Sequence, residues 1–265
     1  MKRLSIIVIL LVLGLSAYAW EYKSTESDTV QSVQMRIGAE FQKEWKCGVR
    51  LGIEEDLRFD LFNSALGPAF RKSYTTVSLG YAPIEYVKID AGYTLRLRNA
   101  DSTWTEAQRK DVNEWLRHRV FFGVTGSYRV DFVKLYLRER AQLEMRTDSV
   151  NPLEKNKYDW KLRSKIGADF DIPGKPVKPY IWLELINTLN APEYQQKDGK
   201  QFITDIRTQA GVKWRVSRLS TLNFFYRFTY NYDRDINITK KKGYIELTEV
   251  TQFGHAIGIS YDLDW

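Results

Sequence analysis

The sequence predicts an all-β protein: an antiparallel transmembrane β-barrel of about twelve strands, with ten as the alternative, behind a cleaved signal peptide. Three observations predict it. The stretch Phe253 to Trp265 alternates large, mostly apolar residues with Gly254, Ala256, Gly258, Ser260, Asp262 and Asp264. A strand alternating this strictly needs two different environments on its two faces. Similar segments recur along the chain, and the connections between them alternate in length.

Lys2 and Arg3, an apolar run from Leu4 to Leu15 and the sequence Ala17-Tyr18-Ala19 are the parts of a secretory signal. The run is too short for a spanning helix, which needs roughly 20 residues. This sets residues 1–19 as the signal peptide and residues 20–265 as one outer-membrane barrel domain. The only cysteine, Cys47, excludes an intramolecular disulfide framework. Formal charge falls from +7 by two once Lys2 and Arg3 leave. Such a modest basic excess suits anionic lipid or an anionic solute, and the export signal argues against nucleic acid. The negative mean hydropathy of -0.42 is what a barrel gives, because only half of each strand meets lipid.

After a polar, acidic lead-in (Glu21 to Thr29) the period-2 segments begin. Val33, Met35, Ile37, Ala39 and Phe41 alternate with polar residues or glycine, and Cys47 to Ile53 follow across a tight hairpin at Glu44-Trp45. Segments near 72–82 and 85–98 come next, then 115–128, 131–146, 157–171, 177–187, 201–216 and 219–232, before the terminal one. Short connections are predicted at 44–45, 83–84, 129–130, 172–176 and 217–218, and long polar ones at 60–70, 99–114, 147–156, 188–200 and 233–250. A short helical turn is expected around Thr105 to Leu116. Short turns on one side and long loops on the other are the habit of outer-membrane barrels. Aromatic residues near segment ends, among them Trp45, Tyr81, Trp115, Trp160, Trp214 and Trp265, are expected to form interfacial girdles. A closed antiparallel barrel with both termini in the periplasm needs an even strand number. The eleven segments above therefore call for a twelfth strand, near Tyr22 to Thr29, or for the loss of one.

If the apolar faces meet lipid, the opposite faces carry twenty bases against eleven acids. Among the expected lumen-lining bases are Arg50, Arg58, Arg96, Arg98 and Arg119, followed by Arg138, Arg140, Arg163, Arg215 and Arg227; the acids include Glu54, Asp90 and Glu144. Charge on a lipid face costs roughly 2–4 kcal/mol for Arg or Lys at the midplane. Glu55 and Glu139 nonetheless fall on the apolar register; for Glu139 the options are a bulge, a protomer contact or a different register. Two readings of the lumen follow: a narrow, anion-preferring pore, or a barrel filled by Arg–Glu and Arg–Asp pairs.

The chain is read as non-enzymatic, without a cofactor or metal. His118 and His255 fall on the lipid-facing register, and no nucleophile elbow, phosphate loop or metal spacing appears. A barrel hydrolase and a soluble periplasmic β-protein are the remaining alternatives.

Several diffuse patterns resemble the outer-membrane barrels catalogued as domain of unknown function 2490. They are Glu54-Glu55-Asp56-Leu57-Arg58-Phe59, the pair Gly80-Tyr81 and Gly92-Tyr93-Thr94-Leu95-Arg96, the run Leu137-Arg138-Glu139-Arg140, and the close His255-x-x-Gly258-x-x-Tyr261. The resemblance implies fold and outer-membrane location and carries no active site. With it come two expected partners, outer-membrane lipid and the barrel assembly machinery, the latter reading the strand Phe253 to Trp265.

Overall fold

The structure is a computed structural model and describes residues 21–61, 69–99, 116–146, 157–191, 203–239 and 244–265. These form eleven strands: β1 (Glu21–Glu44), β2 (Val49–Asp60), β3 (Ala69–Ile84), β4 (Val87–Arg98), β5 (Leu116–Val130) and β6 (Val133–Arg146), then β7 (Tyr158–Phe170), β8 (Val177–Thr188), β9 (Ile203–Arg215), β10 (Ser220–Thr239) and β11 (Tyr244–Asp264). Each pairs antiparallel with its sequence neighbour, and β1 closes the ring on β11. The signal-peptide segment, Trp115 and the short helix expected near 105–116 lie outside the described residues, apart from Leu116 itself, which opens β5 as strand.

The strand number corrects the even-number expectation. Ten antiparallel steps leave β11 pointing the same way as β1, so the closing pair is parallel, from Glu21 opposite Tyr244 to Gln42 opposite Asp264. The lead-in at 21–29 is the start of β1 rather than a strand of its own. Glu21 therefore stands at the end of the barrel that carries the long connections, and Trp265 at the end that carries the turns. A second correction concerns 233–250, which is not a long loop. β10 and β11 stay in register from Ser220 opposite Leu263 to Thr239 opposite Tyr244, leaving a connection of residues 240–243. The run Lys240-Lys241-Lys242 interrupts the apolar beat there and hides Ile236 and Ile238, which stand opposite Leu247 and Ile245.

Local chemistry explains the turns. Gly48 closes the β1–β2 turn at φ 80, donating its N–H to the Trp45 carbonyl, and Asp131 holds φ 52 between β5 and β6. Both conformations lie in the left-handed region that Gly and Asp tolerate best.

The molecule is inside-out relative to a water-soluble domain. Leu79, Phe122, Leu137, Ile166, Ile181 and Ile257 are each more than half exposed on the outer face, while Arg36, Asp56, Asp90, Arg96, Glu144 and Glu184 are buried in the lumen. Aromatic side chains also enter the lumen, several of them directly opposite a glycine on a neighbouring strand. The pairs are Phe121 with Gly92, Tyr136 with Gly167, Tyr180 with Gly211, and Phe225 with Gly258. A Cβ on Gly92 would meet the Val77 carbonyl oxygen at 2.5 Å and Phe121 Cζ at 2.6 Å.

Two glycine substitutions on this framework should part company. Gly92→Val overpacks against backbone and should cost about 1–3 kcal/mol. Gly126→Val points a methyl pair into open space and should change stability by less than about 0.5 kcal/mol. Denaturant unfolding of the refolded protein checks both, and equal losses would contradict the lumenal packing.

Candidate functional site

Among the described residues the lumen gathers most of the charged side chains, and strand alternation puts them there. Its loop-side half is organised by buried carboxylates. Glu184 of β8 is 1% exposed. It accepts from Arg163 Nη2 of β7 at 2.8 and 2.9 Å and from Arg138 Nη2 of β6 at 3.1 Å. Arg207 on the other flank lies at 3.8 Å and Lys165 at 4.0 Å. Register makes the cluster: Arg138, Lys165, Glu184 and Arg207 stand directly opposite one another on four successive strands.

Glu144 of β6, 0% exposed, is the second hub. It accepts from Arg117 Nη1 at 2.6 Å. Arg119 Nε lies 2.9 Å from Oε2, an ion pair whose angle is not that of a hydrogen bond, and Lys161 Nζ lies at 3.6 Å. Around these hubs Asp56 is gripped by Arg36 and Arg58, Asp90 by Arg140 at 2.7 Å, and Asp159 by Arg146 at 3.0 Å. The Arg58 guanidinium also lies over Tyr74 and that of Arg140 over Phe121, at 4.1 and 3.9 Å. Arg96 is buried and Arg98 half-buried on β4, in the same stretch.

The turn-side half is open. A vestibule of about 690 Å³ is lined by Glu44, Arg50, Asp171, Lys178, Arg215 and Asp264, among others. Arg50 donates to Glu44 at 2.6 Å and to Gln42 at 3.1 Å. In the β7–β8 turn, hydrogen bonds from Lys178 and then Arg129 hold the Asp171 carboxyl below the usual carboxylate range. Beyond the vestibule a second space of about 380 Å³ reaches Glu54, Arg138 and Arg227.

Several lumen groups escape a reading of the sequence. A bulge between Arg58 and Phe59 turns Arg71 inward, where it meets the buried Asp60 at 3.1 Å. The inward aromatics Phe121, Tyr180 and Trp182 escape because a large ring suits a lipid-facing position as readily as a lumenal one.

The outer face holds its own polar contacts. Glu139 keeps its outward register and accepts from Ser164 Oγ at 2.7 Å; Glu55 likewise accepts from Thr75 Oγ1 at 2.6 Å. Each partner stands directly opposite on the neighbouring strand. Tyr93 bonds His118 Nδ1 and Tyr226 bonds His255 Nδ1, both at 2.6 Å. Trp45, Tyr81, Trp214 and Trp265 are exposed at the turn end and Trp160 toward the loop end. Among the described residues, no group of three or more His, Cys, Asp or Glu is arranged to hold a metal ion.

Removing the Glu184 carboxylate leaves its cations buried without a counter-charge. Glu184→Ala should therefore cost about 3–5 kcal/mol in unfolding free energy. Replacing Glu184 and Arg163 together by Met should cost less than the two single changes summed. A double change that merely adds would place the hub's energy elsewhere.

A family profile described as protein of unknown function (DUF2490) matches residues 26–239, from within β1 to the end of β10. The match takes in Glu54–Phe59, Gly80-Tyr81, Gly92–Arg96 and Leu137–Arg140, and stops short of His255, Gly258 and Tyr261. No curated protein matches the chain.

Proposed function

This chain belongs to the DUF2490 family, and from that premise we propose that it is an outer-membrane β-barrel whose lumen is closed at rest by buried ion pairs. One observation carries the closure: Glu184 and Glu144, essentially without exposure, tie together cations from β5 to β9. A plug of this kind resists opening because separating it strands charge in a low-dielectric space. The protein on this reading is a non-enzymatic barrel that binds from its accessible ends rather than one that passes solute freely.

The membrane placement is supported by the outer face. Strands of 12 residues rise roughly 3.3 Å per residue, and at a tilt of about 40° they span roughly 30 Å, enough for a lipid-facing band about 25 Å tall. The apolar outer residues and the exposed aromatics at both ends suit lipid and its interfaces, and β11 remains the expected signal for the barrel assembly machinery. A narrow passive channel with an anion-preferring, basic lumen is the second reading. The vestibule favours it, because Asp169, Lys213 and Asp262 also line the inner space and make the two continuous.

Planar-bilayer recording in a potassium chloride gradient separates the two readings. The refolded protein should give no discrete steps; steady, chloride-selective steps would replace the closed barrel by the channel.

The side of each terminus is testable in cells. With the turns in the periplasm, β1 begins outside. A bulky PEG-maleimide should label Thr29→Cys in a Cys47→Ser background on intact cells. It should reach native Cys47, exposed in the β1–β2 turn, only after the outer membrane is permeabilised. Labelling of Cys47 on intact cells would invert the orientation.

A further inference from the structure

The inner space of about 380 Å³ is lined by ion-paired groups, Arg36 with Asp56 and Arg138 with Glu184 among them, and also by charges that stand apart. On one side Glu54, Glu40 and Asp262 form a row. Glu40 is directly opposite Glu54 on β2 and directly opposite Asp262 on β11. Among the described residues none of the three makes an ion pair; Asp262 only accepts a hydrogen bond from Ser260 at 3.3 Å. Like charges directly opposite in a sheet repel, so this row is held at a cost.

Across the space the sign reverses. In a ring of eleven, β6 and β7 lie farthest from β1, and they supply Arg138 and Lys165; Arg227 stands between the two sides, on β10 next to β11. Lys165 reaches Glu184 only at 4.0 Å and lies 4.0 Å over the Trp182 ring. Arg227 has no ion pair among the described residues. Its Nε donates to Gln209 at 2.7 Å, and its guanidinium rests against Trp182 and Phe225. The acidic row sits on β11, β1 and β2 and Arg138 and Lys165 on β6 and β7, and among the described residues no ion pair joins the two sets.

A small anion would satisfy the bases and leave the carboxylates repelling; a small cation would do the reverse. A metal ion on the acidic row is disfavoured by the same geometry that leaves no metal-holding group among the described residues. A molecule with a positive and a negative end satisfies both walls through charge-assisted hydrogen bonds, with Trp182 beside its middle. The volume is at the lower end of small-molecule sites, which run roughly 300–1,000 Å³.

We propose that this space is a binding site for a small zwitterion of the amino-acid or short-peptide class. The ammonium lies at Glu40, Glu54 and Asp262, and the carboxylate at Arg138, Lys165 and Arg227. The ligand enters from the turn side, through the vestibule that shares Asp169, Lys213 and Asp262. The inference rests on the closed barrel proposed above. Conductance tests the closure and equilibrium binding tests the site, so either can fail alone.

Titration calorimetry of the full refolded protein in detergent micelles tests it with triglycine, N-acetyltriglycine and triglycinamide. Triglycine should bind saturably, and each blocked analogue, lacking one charge, at least about tenfold more weakly. The double variant Glu40→Gln, Glu54→Gln relieves repulsion and should fold, yet lose at least about tenfold in triglycine affinity; Arg227→Gln should do the same at the carboxylate end. Absence of saturable triglycine binding, equal binding of the three probes, or an unchanged affinity in the folded double variant would each overturn the proposal.

Discussion

The pairing of β1 with β11 is the constraint on which the rest depends. Without it both strands present rows of unpaired N–H and C=O groups, each costing several kcal/mol wherever water is excluded. The seam is built for close approach: a Cβ on Gly38 would stand 3.0 Å from the Ser260 Cβ. Small residues at Gly254, Ala256, Gly258 and Ser260 leave that wall thin, while the long bases, Arg36 of β1 apart, rise from strands elsewhere in the ring. The seam thus fixes the direction of the first strand and the side of the lumen where space remains.

Electrostatics then divides the interior by depth. Toward the loops, each hub carboxylate is outnumbered by cations and the groups interlock. Toward the turns the charges line open space and meet water or one another at the rim, as at Asp171 between Lys178 and Arg129. Buried ion pairs are weak evidence for stability, since desolvation can offset their attraction. What they give this barrel is a lumen that cannot collapse into an apolar core, because no arrangement of so many guanidinium groups is dry and neutral at once.

Much of the fold was legible before any coordinates. The alternating segments near 33–42 and 219–232 became β1 and β10, and all eleven predicted segments fall on strands. The parity argument that asked for a twelfth strand assumed antiparallel closure. Nothing local marks a parallel seam, since β1 meets a partner at the other end of the chain. The charged faces of β6 and β7 could be read from alternation, but that Glu184 gathers Arg138, Arg163 and Arg207 depends on the register of four strands. The opposed walls of the inner space were illegible for the same reason: Glu40, Glu54 and Asp262 become neighbours only when the ring closes. Inward rings such as Trp182 escape because a large ring suits a lipid-facing position as readily as a lumenal one.

An odd ring also constrains how such a protein arises. Barrels enlarged by copying whole hairpins gain strands in twos and keep their parity. A ring of eleven is not reached that way alone: an odd step, one strand added or lost, would bring the end strands side by side in the same direction. The seam between β1 and β11 is where such an event would leave its mark. It is also the one junction in the wall between strands that do not follow one another in sequence.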